Sequence, residues 1–468
     1  MIAMKTTKID FVIQHIHEQI KTRSLPPGSR LSSVRGLAKQ LNLSVSTIVE
    51  AYERLASQGL IESKTGSGFF VSGPIPPLSI SQIHPQIDRN IDPLWISRQS
   101  LEAKPDMFKP GCGWLPDDWM PHENIRKAIR KISKVESKIL TDYSSPLGSP
   151  ALRELLARKI LGKGIEAIPN QILLTDSGTQ AIDLICRYFL KPNDVVLVDD
   201  PCYFNFHALL KVHQIRIIGI PYTPTGPDLN AFSQAITQHN PRLYITNSGI
   251  HNPTGARLTA STAYQLLKLV EQSNLIVIED DIFADLELDP APRLAALDGL
   301  SKVIHIGSFS KTLSGSVRTG YIATKAQWIE DLTDIKIATG FGGSHLSAEI
   351  LYAALTDGTY RKHLDELKIR LAKSMDFTIK QLEKLKIRPW IKPQAGIFLW
   401  CELAKNLDTA RIAQTCLENN VILAPGNAFS QSQNYKNFIR FNVAQCSEQK
   451  VFEVLSHAIQ QEIELQKN

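Results

Sequence analysis

Two hydrophobic patterns divide the chain. In residues 9–20, apolar side chains recur at the spacing of one helix face, which predicts an amphipathic helix. From about residue 100, short runs rich in β-branched residues alternate with helical stretches, a pattern typical of a mainly parallel sheet covered by helices. The runs predicted as strands are QILLTD, DVVLVDD, IRIIGI, RLYITN, LIVIEDD and KVIHIGS. Beyond residue 330 the pattern is helical and ends in a smaller α+β portion.

The N-terminal part predicts a helix-turn-helix followed by a hairpin. A short helix from about Ser33 to Gln40, a turn at 41–43 and a longer helix capped by Ser44 follow one another. IESKTGSGFFVS then predicts two short strands around a turn that contains Gly66. This part is therefore expected to be a small α+β winged helix-turn-helix.

A proline-bearing segment separates this part from the rest. Residues 74–100 hold several prolines and show no hydrophobic period, so they predict a linker. The predicted organisation is a module over 1–73, a linker over 74–100 and a larger α/β unit over 101–468.

Composition changes this picture little. The 468 residues are 43% hydrophobic with a net charge of +6, which is ordinary for a globular protein. Residues 1–73 carry nine Lys and Arg against five Asp and Glu, a modest basic excess. The six cysteines show no CxxC or Cys/His metal spacing, and no apolar run approaches the ~20 residues that span a bilayer. We therefore expect a reduced cytoplasmic protein with free thiols, without a metal site or a membrane span.

The helix-turn-helix pattern supplies candidate DNA contacts. In this layout the start of the second helix meets base edges in the major groove, while flanking cations meet phosphates. The candidate residues at the start of that helix are Ser44, Ser46 and Thr47. The candidates on the preceding helix and in the hairpin are Arg35, Lys39, Lys64 and Gly66. A small helical domain that binds another protein fits the same spacing.

The sequence from LPPGSR to GSGFFV, residues 25–71, resembles the GntR-type winged helix over nearly its whole length. The resemblance implies binding of double-stranded operator DNA. This chain has Ser32-Ser33 where the family often has Pro-Ser. It also has Val45 where the family often has arginine, so a usual phosphate anchor is absent there.

The segment HIGSFSKTLSGSVRTGY, residues 305–321, contains the first residues that suggest what chemistry the large unit performs. Lys311 follows an apolar run, and a lysine amine forms a Schiff base with an aldehyde when its pKa is lowered. Ser308 and Arg318 flank it as candidate phosphate contacts. Earlier, Ser177, Gly178 and Thr179 open a helix directly after a strand, where free backbone N–H groups receive a phosphate.

Three further residues fit the ring of pyridoxal 5'-phosphate (PLP). Tyr203 suits stacking on it, Asn252 suits its oxygen, and Asp280, at a buried strand end, suits its protonated nitrogen. Each has an ordinary alternative: a core tyrosine, a turn-capping asparagine and a helix-capping acid. Asp281 equally fills the place of Asp280. The order and spacing of the whole set favour a PLP site.

Residues 106–468 resemble a fold-type-I aminotransferase of the aspartate-aminotransferase superfamily, in the order of its motifs. The resemblance implies the roles given above and adds three. Tyr143 would reach the phosphate of a partner subunit, which implies a homodimer; Arg440 would bind the substrate α-carboxylate, and the backbone of Gly113 would meet the same carboxylate. Phe283 stands where the family usually has a tyrosine that donates to the ring oxygen. The absence of that tyrosine hydroxyl is expected to raise the pKa of the Schiff base and to slow amine exchange, without preventing attachment of PLP to Lys311.

A winged helix, a linker and an aminotransferase-like unit in one chain resemble the MocR subfamily of GntR regulators over essentially the full length. The resemblance implies a transcriptional regulator that senses PLP or an amino-acid or amine effector. A working aminotransferase with an appended winged helix is the competing hypothesis. A structural or interaction protein with a vestigial pocket is a third. DNA binding and turnover discriminate among them.

Overall fold

The structure, a computed structural model, describes residues 7–21, 25, 28–64, 68–72, 93–134 and 137–466. The chain forms two compact units, residues 1–89 and 90–468. No helix in the described ranges is long and apolar enough to cross a membrane. All six cysteines are buried and free.

The small unit is a three-helix bundle with a two-stranded hairpin. Its elements are α1 (Lys8–Lys21), α2 (Val34–Leu41), α3 (Val45–Ser57), β1 (Ile61–Lys64) and β2 (Gly68–Val71). Ser33 and Ser44 cap α2 and α3 by accepting hydrogen bonds from Gly36 N at 3.1 Å and Thr47 N at 3.2 Å. Between the helices, Asn42 takes the left-handed conformation that turns the chain. The predicted winged helix-turn-helix layout is confirmed.

Apolar residues of all three helices and of both strands form the core of this unit. On α3 the buried side chains are Ile48, Ala51, Tyr52 and Leu55, which lie on one helix face. Tyr52 also donates its hydroxyl proton to Ser32 O at 2.8 Å, which ties α3 to the segment before α2. The opposite face of α3 is left exposed.

The large unit begins earlier than the sequence predicts. Its first helix, α4 (Pro93–Leu101), starts inside the segment 74–100 that the sequence predicts to be a linker. Ile96 is buried against Phe204 and Trp400 in one apolar cluster. Tertiary burial rather than helical periodicity holds this short helix, which is why the pattern missed it; residues 74–92 lie outside the described residues.

The remaining elements of the large unit follow in chain order. The helices are α5 (His122–Ile132), α6 (Ser137–Thr141), α7 (Pro150–Leu161), α8 (Gly178–Phe189), α9 (Phe204–Val212), α10 (Leu229–His239), α11 (Ala260–Glu271), α12 (Leu294–Asp298), α13 (Ala326–Gly340), α14 (His345–Leu355), α15 (Gly358–Lys384), α16 (Thr409–Glu418) and α17 (Gln449–Leu465). The strands are β3 (Ile172–Thr175), β4 (Val195–Asp200), β5 (Arg216–Thr223), β6 (Gly226–Pro227), β7 (Leu243–Thr246), β8 (Ile276–Asp280), β9 (Val303–Ser308), β10 (Gly320–Ala323), β11 (Arg388–Pro389), β12 (Phe398–Glu402), β13 (Ala424–Pro425) and β14 (Phe438–Asn442).

The large sheet is mainly parallel, as predicted. Its strand order is β3-β10-β9-β8-β7-β4-β5-β6, with only β10 and β6 antiparallel to their neighbours. Successive residues such as Val277 and Ile278 of β8 enter separate apolar clusters. Helices therefore cover both faces, and this explains why the strands read as continuous apolar runs. All six predicted strand runs form strands; β10 was missed because it is short and begins with a glycine.

The sheet topology positions the site. The parallel strands β3, β4, β7, β8 and β9 end on the same edge, and ligands of open α/β sheets bind at such an edge. A second, antiparallel sheet of order β11-β12-β14-β13 belongs to the smaller C-terminal portion. Trp400 on β12 pairs with Arg440 on β14, so this sheet holds the arginine.

Candidate functional site: a PLP-type cavity and an exposed recognition helix

A cavity of about 160 Å³ lies at the carboxyl edge of the large sheet. Eight residues predicted from the sequence line it: Ser177, Gly178, Thr179, Tyr203, Asp280, Ser308, Lys311 and Arg318. Asn205, Phe206 and Ser310 line it as well and were not predicted. Their only signal is that they lie within three residues of Tyr203 or Lys311.

One end of the cavity is built to receive an anion. Helix α8 begins at Gly178, and Ser177 caps it by accepting a hydrogen bond from Gln180 N at 3.0 Å. The hydroxyl of Ser308 lies 2.9 Å from that of Ser310. A Cβ on Gly320 would lie 2.7 Å from the backbone carbon of Ser177, so only glycine lets β10 approach this turn. Helix N-terminus and hydroxyls together suit a phosphate.

Lys311 is half-buried and lines the cavity. Its Nζ donates a hydrogen bond to Gly113 O at 2.7 Å. Burial, together with the nearby Arg440 cation, lowers the pKa of Lys311 to about 8. A substantial fraction of the amine is therefore neutral near physiological pH, as a nucleophilic lysine requires.

Asp280 ends β8 and is buried. Its Oδ1 accepts a hydrogen bond from Ile282 N at 3.2 Å, but within the described ranges its carboxylate forms no salt bridge. Burial raises the pKa of Asp280 to about 7. A cationic donor at this point of the cavity would restore the ionised carboxylate.

Asp281, the alternative left open by the sequence, is already paired with two cations of the protein. Its Oδ2 lies 3.0 Å from Arg293 Nε and 3.2 Å from Lys163 Nζ. Burial opposes its ionisation, but these two cations outweigh burial and lower its pKa to about 2. The negative charge of Asp281 is thus already compensated by cations of the protein, whereas a charge on Asp280 is not.

This contrast predicts a stability effect for Asp281→Asn. The change leaves two buried cations with less compensation, so we expect the free energy of unfolding to fall by about 2–3 kcal/mol. Urea unfolding checks this. Asp376→Asn is the matched control because its ion pair with Lys392, at 2.9 Å, is exposed; we expect it to change the free energy by under about 1 kcal/mol. Equal effects of the two substitutions would contradict the assignment.

Arg440 lies, like Lys311, near Gly113 and is wholly buried. It donates from Nη1 to Asn252 Oδ1 at 2.9 Å and from Nη2 to Gly111 O at 2.7 Å. Its Nε is buried and finds no hydrogen-bond partner among the described residues. A Cβ on Gly113 would lie 3.8 Å from Lys311 Nζ and 4.0 Å from Arg440 Nη2. The structure thus brings Asn252, Gly113 and Arg440 together with Lys311, and Asn252 meets the arginine.

Tyr143 is the predicted cofactor residue that the structure places on the surface of the large unit. Its side chain is 81% exposed and packs edge-to-face on Phe341, itself 66% exposed, with ring centroids 5.0 Å apart.

The candidate DNA contacts lie on the surface of the small unit. Arg35, Lys39, Ser44, Ser46 and Lys64 are exposed, and Thr47 is half-buried. Lys64 pairs with Glu62 at 3.0 Å and lies 4.9 Å above the ring of Phe70. Gly66 lies outside the described residues.

Comparison with known families decides the class of the large unit. Residues 114–457 match the family described as aminotransferase class I and II. The chain belongs to this aminotransferase family. Residues 8–71 match the bacterial regulatory proteins of the gntR family, so the layout is that of a MocR-type chain.

Relatives share both units of this aminotransferase-family chain. It is 29% identical over 446 residues to an uncharacterised HTH-type transcriptional regulator, YisV, of Bacillus subtilis, covering 93% of this chain and 91% of YisV. It is 28% identical over 418 residues to the HTH-type transcriptional regulator NorG of Staphylococcus aureus, covering 86% of this chain and 93% of NorG.

Solved aminotransferases share the fold of the large unit. The α-aminoadipate aminotransferase LysN of Thermus thermophilus superposes with a TM-score of 0.72 at 24% identity, covering 79% of this chain and 95% of LysN. The kynurenine aminotransferase of Pyrococcus horikoshii gives a TM-score of 0.73 at 24% identity, covering 82% of this chain and 98% of that one.

The cofactor of the aminotransferase family is PLP, and the cavity fits it. The α8 N-terminus, Ser308 and Arg318 would hold the phosphate. The carboxylate of Asp280, which lacks an ion-pair partner in the described part of the chain, would hold the ring nitrogen. Lys311 would hold the aldehyde carbon. When bound, PLP supplies an electron-withdrawing ring for chemistry at an amine carbon.

Phe283 marks where this chain departs from the aminotransferase pattern. It is 2% exposed, packs edge-to-face on Phe398 and has its ring centroid 5.9 Å from Lys311 Nζ. An apolar ring thus stands beside the amine where the family usually has a phenol. It donates no hydrogen bond to a ligand oxygen.

Proposed function

We propose that this chain is a DNA-binding transcriptional regulator that senses an amino-acid or amine effector, or PLP itself, through its aminotransferase-like unit. The observation that carries the proposal is the presence, in one chain, of a GntR-type unit with exposed cations and a PLP-type cavity with its lysine and aspartate intact. Relatives named as transcriptional regulators match across both units. A chain that works on operator DNA is expected in the cytoplasm.

The site offers a physical basis for sensing. In the structure, Lys311 Nζ and Arg440 Nη2 hold the backbone carbonyls of Gly113 and Gly111. A ligand carboxylate at Arg440 competes for these donors, and a ligand that engages Lys311 removes its bond to Gly113. Binding therefore changes the contacts of segment 111–113, and such a difference between two states is what a switch requires.

We further propose a homodimer. Tyr143 and Phe341 form an exposed aromatic pair on the large unit, and exposed apolar surface of this kind favours association. The family role of Tyr143, a contact to the partner's phosphate, is consistent with its position away from its own cavity.

The DNA-binding part of the proposal predicts a salt-dependent loss on removing cations. Arg35→Ala and Lys39→Ala each remove one candidate phosphate contact, so each should make the negative slope of log affinity against log salt concentration shallower by about one. Fluorescence anisotropy of the full-length protein on a labelled duplex measures it. Lys405→Ala, an exposed lysine of the large unit, is the control and should leave the slope unchanged. Unchanged slopes for both α2 variants would contradict these contacts.

A further inference from the structure

Two valines stand exposed at the start of α3. Val45 is 47% exposed and Val49 is 38% exposed, whereas the core side of the helix is fully buried. They are four positions apart in the sequence, so they lie one above the other on one flank of the helix. These two valines do not contribute to the buried core of the small unit, so folding alone does not explain why apolar side chains occupy both positions.

The polar groups on the same turns are engaged within the helix. The hydroxyl of Ser44 caps Thr47 N at 3.2 Å and lies 3.0 Å from the hydroxyl of Ser46. Glu50 accepts a hydrogen bond from Arg54 Nε at 2.8 Å. These contacts leave the two valines as the unengaged surface of the first two turns.

The start of α3 also lacks the side chains that bind purines through two hydrogen bonds. Residues 44–53, SVSTIVEAYE, contain no Arg, Lys, Asn or Gln. Arg and Lys are the usual readers of guanine, and Asn and Gln of adenine, whereas apolar side chains contact the C5-methyl group of thymine. An apolar helix start flanked by the exposed cations Arg35 and Lys39 therefore fits a groove that presents methyl groups between phosphates.

We propose that Val45 and Val49 read thymine methyl groups in the major groove, so that each operator half-site carries thymine under the first two turns of α3. This inference rests on the proposed DNA-binding function and specifies its partner. The cations give affinity without sequence preference, and the valines give the preference.

The test begins with duplexes recovered by the full-length protein from a randomised library. Each thymine of a recovered site is then replaced by deoxyuridine, which removes the methyl group and keeps the base pair. At the contacted positions we expect affinity to fall about fourfold per methyl group, the effect of burying one such group. Thymines elsewhere in the site should tolerate the replacement.

Variants tie the effect to the valines. In Val45→Ala or Val49→Ala, the difference between thymine and deoxyuridine should shrink at one position each, while Val212→Ala, an exposed valine of the large unit, should change nothing. Val45→Arg should shift the preference at its position to guanine by about tenfold or more. Because Val45 and Val49 are exposed, the unfolding midpoint should stay constant, and this is measured in parallel.

The possible outcomes separate the inference about thymine methyl groups from DNA binding itself. Loss of affinity at specific thymines that is erased by the alanine variants supports it. Sites with guanine under the helix, or equal affinity for thymine and deoxyuridine throughout, overturn it and leave DNA binding intact. Failure to recover any duplex, or binding without sequence preference, overturns the inference too; the former also overturns the proposed function.

Discussion

Lys311→Ala is expected to abolish covalent capture of PLP. Borohydride reduction of the wild-type protein with PLP should leave a stable mass increase on the peptide that contains Lys311. The variant should show no increase there, because no other amine lines the cavity within the described residues. Noncovalent affinity should survive in part, since Asp280 and the start of α8 remain.

Lys336 provides the comparison within the same molecule. Burial lowers its pKa to about 8 as well, and its Nζ donates to Pro146 O at 2.7 Å. A low pKa alone would label both lysines, whereas placement in the cavity labels only Lys311. Covalent labelling of the Lys311→Ala variant at wild-type yield would contradict the assignment.

Asp280→Asn is expected to weaken PLP binding at least about 100-fold, the equivalent of about 3 kcal/mol for removing one partner of a buried ion pair. The neutral amide cannot compensate a protonated ring nitrogen. Fluorescence or absorbance titration of full-length protein measures the Kd, with the absorbance band of bound PLP as a second readout.

Asp281→Asn is the matched control for this experiment. The adjacent carboxylate is paired with Arg293 and Lys163, so its loss should reduce stability and leave the Kd for PLP within about threefold. If Asp281→Asn weakened PLP binding more than Asp280→Asn, the roles assigned to the two aspartates would be reversed.

The pattern of apolar runs predicted most of the large sheet, since the six predicted runs form six of its strands. It missed elements whose formation depends on distant contacts. Helix α4 is held by Ile96 against Phe204 and Trp400, and neither contact is visible in a local period. Strand β10 depends on Gly320, which approaches the turn at Ser177 more closely than any side chain allows.

The candidate site was predictable where a motif lies at the end of a strand, because the parallel strands end at one edge of the sheet and bring such side chains together. The choice between Asp280 and Asp281 was not, since it depends on Lys163 and Arg293, which come from distant parts of the chain. The hydrogen bond from Arg440 to Asn252 was likewise hidden, because it joins β14 of the small sheet to the loop that follows β7.

Control of DNA binding by the cavity is tested most directly by one measurement. Affinity of full-length protein for a recovered operator duplex is measured with PLP alone and with PLP plus each member of a panel of amino acids and amines. At least one compound should change the Kd for the duplex by about fivefold or more in the wild type. The same compound should leave the Kd of the Lys311→Ala variant unchanged. Constant affinity across the panel, together with steady turnover of an amino acid to its keto acid, would contradict the account and identify a working aminotransferase.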